Sequence, residues 1–409
     1  MTVQDRSILR ELATQVAEIA ALPVQQETIR LWKALNSLRP VRPMVAIDQV
    51  CWNEMNVEDE LTLRCEDPFC RGLEGHLRRT LYSWRHLRAD MVVEPVIDIY
   101  KAIGNTGFGL GVEEQCVATD PTNDVVSHHY IDQLRTEADL EKIRDPVITY
   151  DAAATAEAEE KAHEIFDGIL EVRVQGAFPV YAPFDIICCW RGAEPLIYDL
   201  ADRPEFIHAI LRRLTDAQLR MLDQLEAQGL LGTHQSWIHC TGAFTDELPE
   251  SDPAHPRATS LWTFGMSQIF STVSPAMHEE FERPYLTPWF ERFGLAYYGC
   301  CEPLDKKIAM IRKLPKVRKI SMSPWVDQEN GARQIGGDFV FSRKPSPAFL
   351  AVGEWNPEAV RRDLQQTVEI CARYGCPLEL ILKDISTVRY QPQRLWEWAR
   401  VAMEVVTAG

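Results

Sequence analysis

Eight short runs of apolar residues recur along the chain. Most are rich in β-branched or aromatic side chains, a composition that predicts β-strands. The runs cover residues 44–48, 91–96, 171–176, 236–240, 295–300, 317–322, 338–342 and 378–384. Segments with apolar residues at helical spacing lie between several of them. The clearest are residues 202–229, 274–294 and 356–375, each with proline near its start and glycine at its end, which is typical of helix boundaries.

This alternation of strands and helices predicts the fold class. Neighbouring parallel strands need a crossover connection, so strands that alternate with helices imply a parallel sheet. Residues 41–409 hold the eight units and residues 1–40 form a helical N-terminal extension. The pattern therefore predicts an α/β protein, a (β/α)8 TIM-type barrel. A doubly wound open sheet is the alternative, but no glycine-rich phosphate fingerprint follows the first strand.

Polar residues gather at the carboxyl ends of the predicted strands, which is where active sites form in such barrels. In chain order they are Asp48, Glu54, Glu94, Asp98, Gln175, His239, Cys240, Cys300, Cys301, Glu302, Ser321, Ser323, Arg343, Lys344, Lys383 and Asp384. Two adjacent cysteines at one strand end, one strand along from a His-Cys pair, predict a common site at the barrel mouth.

Imidazole and thiolate groups are the ligands that zinc prefers. His239, Cys240, Cys300, Cys301 and Glu302 are therefore candidate zinc ligands. Side chains alternate across a strand, so only one member of each adjacent pair is expected to face the barrel axis unless the strand has already ended. The alternative is that the inward cysteine only packs in the core and that His239 forms a core hydrogen bond.

Two other groups of polar residues need separate interpretation. Lys383 and Asp384 end an apolar run, where charges are costly unless they are paired or functional. Pairing with each other or with Glu302 is the structural alternative to a catalytic role. His128 and His129 lie in a polar segment, which favours a solvated loop over a ligand pair.

Composition excludes several classes of protein. The formal net charge of −17 argues against a nucleic-acid or anionic-membrane surface, because phosphate binding needs clustered Lys and Arg. An odd number of cysteines, 11 in 409 residues, does not suggest a secreted disulfide scaffold. There is no apolar run long enough for a membrane span. The N-terminus is charged and lacks a signal-peptide core. These features predict a cytoplasmic protein.

Several segments resemble the uroporphyrinogen decarboxylase superfamily. They are RPMVAIDQVCWNEMN near the start, LRRTLYSWRHLRADMVVEPVI after it, YYGCCEPLDKKI in the middle, and VFSRKPSPA with LILKDISTV late in the chain. The resemblance runs from about Pro40 to the C-terminus and implies a (β/α)8 barrel. The haem-pathway decarboxylases of this superfamily hold their polycarboxylate substrate with two arginines of an early motif. This chain offers Asp48 and Glu54 there instead, and acids would repel such a substrate.

The zinc-dependent methyltransferases form the other branch of the superfamily, and their ligands are a His-x-Cys motif and a distant Cys. If YYGCCE corresponds to that motif, Cys301 takes the place of its Cys and Gly299 that of its His. The distant Cys has no match, because the last strand ends in Lys383 and Asp384. The GCCE form resembles the corrinoid-linked methyltransferase components of demethylation systems.

The resemblance implies zinc as a cofactor and a corrinoid (cobalamin) carrier on a partner protein. A small methylated donor, such as an O-methyl compound, would exchange its methyl group with that carrier. His239, Cys300, Cys301 and Glu302 are the candidate metal ligands, with the choice between the two cysteines left open. Asp384 or Glu54 would deliver a proton, and Lys383 would stabilise developing negative charge. A homodimer is common in the superfamily.

Two alternatives to methyl transfer remain. One is a cofactor-free decarboxylase or lyase that holds a carboxylated substrate with Arg343, Lys344 and Lys383. The other is a non-catalytic scaffold in a corrinoid complex, in which the cysteines only pack. Zinc bound to the purified protein would support methyl transfer, whereas protein without zinc would favour the lyase or the scaffold.

Overall fold

The structure is a computed structural model that describes residues 1–118 and 126–408. Its helices are α1 Val3–Ala20, α2 Pro23–Asn36, α3 Pro68–His86, α4 Ala152–Phe166, α5 Pro183–Arg191, α6 Ala193–Asp202, α7 Pro204–Ala227, α8 Pro275–Phe290, α9 Ile308–Ile311, α10 Gln328–Ile335, α11 Ala348–Ala351, α12 Pro357–Tyr374 and α13 Gln393–Thr407. Its strands are β1 Met44–Ile47, β2 Val96–Tyr100, β3 Ala102–Asn105, β4 Glu114–Val117, β5 Ser127–Tyr130, β6 Ile148–Asp151, β7 Glu171–Gln175, β8 Trp237–Ile238, β9 Thr241–Gly242, β10 Trp262–Gly265, β11 Leu295–Tyr298, β12 Val317–Met322, β13 Val340–Arg343 and β14 Leu378–Leu382.

A parallel sheet of six strands, in the order β1-β14-β13-β12-β11-β10, forms the centre of the molecule. β2 and β7 form a separate parallel pair, and Tyr181 makes an isolated parallel bridge to Gly265 of β10. The prediction of an α/β protein with a parallel sheet is confirmed. Within the described residues no strand pairing joins β1 to β2, so closure of the strands into a barrel stays a prediction.

Two of the eight apolar runs do not form the predicted strands. In the second run, residues 91–95 are irregular and the strand begins only at Val96. The run at residues 236–240 supplies one arm of a small antiparallel hairpin, β8–β9, and also its two-residue turn, His239-Cys240. The sheet position beside β11 belongs instead to β10, a four-residue strand that the sequence analysis missed.

Local sequence signals explain where α8 begins and where α12 begins and ends. Ser274 caps α8 through its hydroxyl, which accepts a hydrogen bond from the Met277 N–H at 3.2 Å. Asn356 caps α12 in the same way. Gly375 ends α12 in the left-handed conformation that glycine adopts without steric cost. The boundaries of α12 and the start of α8 agree with the predicted ones, whereas α8 ends at Phe290, before the predicted Gly294.

The central sheet is buried on both faces. Every residue of β11, β13 and β14 is buried, and the largest hydrophobic cluster packs the sheet against the surrounding helices. The helices α1 and α2 lie within the predicted N-terminal extension. Among the described helices, none has the length and apolar character needed to cross a bilayer.

Candidate functional site

The two adjacent cysteines lie in a loop directly after β11. Gly299 separates them from the strand with a φ of +89°, and a Cβ at this position would lie 2.3 Å from a methyl carbon of Leu304. Only glycine fits this turn. The sulfur atoms of Cys300 and Cys301 lie 3.5 Å apart. The expectation that only one thiol faces the site assumed a strand through residue 300, whereas the strand ends at Tyr298.

Glu302 is completely buried beneath this loop. One carboxylate oxygen accepts the N–H of Cys300 at 2.9 Å, and the other accepts the N–H of Ser267 at 3.1 Å. The Ser321 hydroxyl donates to the Cys300 carbonyl from the neighbouring strand. Both oxygens of Glu302 therefore already accept backbone N–H groups, one from the cysteine loop and one from the segment after β10. These contacts favour a positioning role over that of a metal ligand.

The end of β14 brings an ion pair to the two thiols. The Lys383 nitrogen lies 3.1 Å from the Cys300 sulfur, 3.8 Å from that of Cys301 and 3.0 Å from an Asp384 oxygen. Asp384, with a φ of +55°, also lies 3.4 Å from the Cys301 sulfur. Burial by itself would lower the pKa of Lys383, but the surrounding thiols and Asp384 together raise it above its ordinary value. Lys383 is therefore an ammonium at neutral pH.

His239 occupies the turn between β8 and β9 with a φ of +53°. Its ring stacks on Phe264, with 4.6 Å between ring centroids, and lies against Tyr297. Burial lowers the pKa of His239 well below its ordinary value, and the nearby Lys344 and Lys383 add to that effect. Its Nε2 atom is buried without a hydrogen-bond partner among the described residues. A neutral imidazole with an unused nitrogen is the form that binds metals.

The predicted ligands do not form a compact cluster. Within residues 1–118 and 126–408, only Glu114, Cys116 and His128 bring three candidate ligand atoms within 4.8 Å of one another. These residues share one exposed face of the β4–β5 hairpin, where Cys116 is paired with His128. His128 thus lies on a strand and not in the predicted loop. The set His239, Cys300, Cys301 and Glu302 stays a prediction.

Glu54 is held by the loop that follows β14. Its carboxylate accepts the Thr387 hydroxyl at 2.7 Å and the N–H groups of Val388 and Tyr390 at 2.8 and 3.0 Å. Glu54 is also buried. These contacts fix the loop that carries Asp384, and they favour a structural role over the predicted role of proton donor.

Lys344 is a buried amine on the same side of the site as His239. It donates hydrogen bonds to the hydroxyls of Tyr297 and Ser342. Burial lowers the pKa of Lys344 to about 8. An amine with such a pKa exchanges protons near neutrality. Tyr297 therefore links the ring of His239 to a titratable group.

A second buried polar group lies behind the cysteine loop, and the sequence analysis did not find it. His278 and Glu282, one turn apart on α8, are fully buried and both contact the Tyr298 hydroxyl, with 2.6 Å between that oxygen and the His278 Nε2 atom. Their spacing of four residues was the available signal.

Asp185 of α5 lies close to these buried acids. Burial raises the pKa of Asp185 to about 7, and the charges of Glu302 and Glu282 act in the same direction.

The Asp185→Asn variant is expected to change how stability depends on pH. Because the folded pKa of Asp185 is about 7 and its ordinary value is 3.8, the unfolded chain ionises this group first. Its contribution to stability is therefore complete below pH 4 and is lost as the pH rises to 7. Asparagine does not titrate. Urea unfolding at pH 5 and pH 8 should show the wild-type free energy of unfolding falling by about 2 kcal/mol more than that of the variant. Equal falls would contradict the assignment.

Comparisons with known proteins add little to this geometry. No family model matches the chain, and no curated protein matches it. Among solved structures, a methyltransferase from Methanosarcina mazei is similar, with 10% sequence identity, a TM-score of 0.48, and coverage of 92% of this chain and 97% of that chain. A TM-score below 0.5 does not establish a common fold. Any functional proposal must therefore come from the residues of this chain.

Proposed function

We propose that this protein is a zinc-dependent methyltransferase that moves a methyl group between a small methylated donor and a corrinoid carrier. The observation that supports it most directly is the meeting of two thiols with Asp384 at the carboxyl ends of β11 and β14. The Cys300 and Cys301 sulfurs lie 3.5 Å apart, and Asp384 lies 3.4 Å from Cys301. Closure of the strands into a (β/α)8 barrel is part of the same proposal.

The types of donor atom at this site suit zinc, and binding would have to draw them closer together. Thiolate sulfur, carboxylate oxygen and neutral imidazole nitrogen are its usual ligands. Cys300, Cys301 and Asp384 offer the first two types, and the unpartnered Nε2 of His239 offers the third. We propose these four as the ligands, with Glu302 as the residue that positions the cysteine loop. When bound, zinc supplies a Lewis acid that polarises the heteroatom carrying the methyl group.

The remaining residues of the site handle charge and access. The ammonium of Lys383, 3.1 Å from the Cys300 sulfur, stabilises negative charge at the reacting centre. Asp384 is half exposed, and it lines a cavity of about 740 Å³ together with Arg78 and Arg79. A donor such as an O-methyl compound reaches the thiols from this side.

The carrier and the cellular setting complete the proposal. The resemblance of the sequence supports a corrinoid bound to a partner protein as the co-substrate, and a homodimer as the oligomeric state. All eleven cysteines are free. Free thiols fit a reducing compartment, which supports the cytoplasm as the location.

The alternative function, a decarboxylase or lyase, is less well supported. The three basic residues that would hold its carboxylated substrate already have partners within the protein. Arg343 donates to the carbonyls of Ser323 and Lys344, and it lies 3.8 Å from Asp363. Lys344 and Lys383 are buried and already hydrogen-bonded, as described above. A carboxylate substrate would have to displace these contacts.

The proposal is tested by metal content and by methyl transfer. Protein purified without chelators should contain about one zinc per chain. Together with a methylated donor it should convert free cob(I)alamin to its methylated form, which changes the visible spectrum. A panel of methyl ethers, thioethers and amines identifies the donor. Decarboxylation of uroporphyrinogen without any corrinoid would overturn the proposal, as would zinc-free protein that transfers methyl groups at an unchanged rate.

A further inference from the structure

A cavity of about 270 Å³ lies between α2, the end of β1 and the β8–β9 hairpin. Aromatic rings form much of its wall: Trp32, Trp52, Trp237 and Phe244 line it. This volume lies just below the usual range for ligand sites, about 300–1,000 Å³. The cavity therefore suits a small, compact ligand with an apolar surface.

Both charged side chains that line this cavity are acidic. Asp48 and Asp90 are the only charged side chains among its lining residues, all of which the structure describes. Asp90 is already neutralised, because both of its oxygens bind the Arg42 guanidinium. Asp48 has no basic nitrogen within 4.0 Å of its carboxylate among the described residues. Its hydrogen bonds come from the Trp237 side chain and the Gln49 backbone.

A carboxylate without an ion-pair partner in an aromatic cavity favours a particular ligand. An anion would be repelled, and a neutral molecule would leave the partly buried charge without a partner. A metal ion would need several oxygen ligands. An organic cation without N–H groups suits both the aromatic wall and the Asp48 carboxylate. Aromatic faces attract the cation, and the carboxylate neutralises its charge.

We infer that this cavity binds a small methylated ammonium ion, with Asp48 as its counter-ion and the rings of Trp237 and Phe244 beside its methyl groups. The rings of Trp32 and Trp52 already have the cations of Lys319 and Arg79 near them, each 5.3 Å from the ring centroid. The binding site adjoins the cysteine site, since the Asp48 N–H donates to the Leu382 carbonyl at 2.9 Å and Lys383 follows directly. The positive charge of Lys383 is balanced there by Asp384 at 3.0 Å. The inference goes beyond the proposed function and does not require it, because binding needs neither zinc nor a corrinoid.

The test compares two ligands of the same shape. Choline and 3,3-dimethyl-1-butanol differ mainly in that a positive nitrogen replaces a neutral carbon. Calorimetry on the full chain, together with quenching of tryptophan fluorescence, measures both affinities. Choline is expected to bind about tenfold or more tightly than the neutral alcohol. Equal affinities, or no binding of choline, would overturn the inference.

Two variants locate the bound cation. Asp48→Asn keeps the shape of the side chain and should abolish the preference for choline over the alcohol. Trp237→Leu should weaken choline binding about tenfold while leaving the fold intact, because Trp237 is 40% exposed. Trp325→Leu, a change at an exposed tryptophan outside the cavity, is the matched control and should bind choline normally. Choline affinity that is unchanged in both cavity variants would place the ligand elsewhere and contradict the inference. Thermal unfolding of each variant confirms that it is folded.

Discussion

Replacing Cys301 by serine is expected to weaken zinc binding by more than about 100-fold, so that the purified variant carries no zinc after dialysis. A neutral hydroxyl is a far poorer zinc ligand than a thiolate, and even the loss of a residue that only orients a ligand costs 10- to 100-fold in affinity. Cys301 is the thiol in contact with both neighbouring donors, since its sulfur lies 3.5 Å from that of Cys300 and 3.4 Å from Asp384.

Cys300→Ser is expected to retain more zinc than Cys301→Ser. The Cys300 sulfur lies closer to the ammonium of Lys383, at 3.1 Å, and it forms no hydrogen bond with Asp384, whereas Cys301 does. Part of the role of Cys300 is thus to pair with the positive charge of Lys383. Zinc per chain, measured for both variants beside the wild type, decides between the two thiols. If Cys300→Ser alone loses the metal, the assignment of the principal ligand is wrong.

Cys116→Ser is the control that separates this site from the β4–β5 hairpin. The hairpin residues Glu114, Cys116 and His128 form a tighter group of ligand atoms than the predicted site does. The proposed function requires Cys116→Ser to keep its zinc and its methyl transfer. Zinc that disappears from Cys116→Ser and persists in Cys301→Ser would assign the metal to the hairpin and remove the structural basis of the proposed mechanism.

The sequence predicted the framework of this site better than its details. The runs at β11 to β14 and the starts of α8 and α12 depend on local patterns of apolar and polar residues, and the structure has them where expected. Periodicity fails where a strand stops. Gly299 ends β11 with a positive φ, so the alternation of side chains does not extend to Cys300 and Cys301. The turn at His239 was not predicted for a different reason: a run of four or five apolar residues does not distinguish an arm of a hairpin from a strand of the sheet.

Roles of individual carboxylates could not be predicted from residue type. Glu54 and Glu302 both followed predicted strands, as did Asp384, and all three were candidates for chemistry. In the structure, the oxygens of Glu54 accept backbone N–H groups and the Thr387 hydroxyl, and those of Glu302 accept backbone N–H groups. Of the three carboxylates, only Asp384 keeps an oxygen beside a thiol. Whether a carboxylate holds a loop or faces a site depends on distant parts of the chain, which local spacing does not encode.

Lys319→Met is expected to be the most destabilising single change proposed for this protein. Lys319 and Glu379 form an ion pair of 2.8 Å between β12 and β14, and both side chains are completely buried. Removing one partner of such a pair leaves an uncompensated charge and costs about 3–5 kcal/mol of the free energy of unfolding. The lysine also donates to the Gly242 carbonyl at 3.0 Å and contacts Thr241, so it anchors the β8–β9 hairpin that carries His239.

The double variant Lys319→Met with Glu379→Met is the decisive comparison. Apolar side chains of similar size can replace a buried ion pair at little cost, because the desolvation penalty of both charges disappears. Urea unfolding at neutral pH should therefore show the double variant to be more stable than Lys319→Met alone. Zinc content should not follow stability. Both variants lose the anchor of the His239 turn, so both should bind zinc more weakly than the wild type. A double variant as unstable as the single one would mean that the contacts of Lys319 with the hairpin, and not its pairing with Glu379, hold this part of the sheet together.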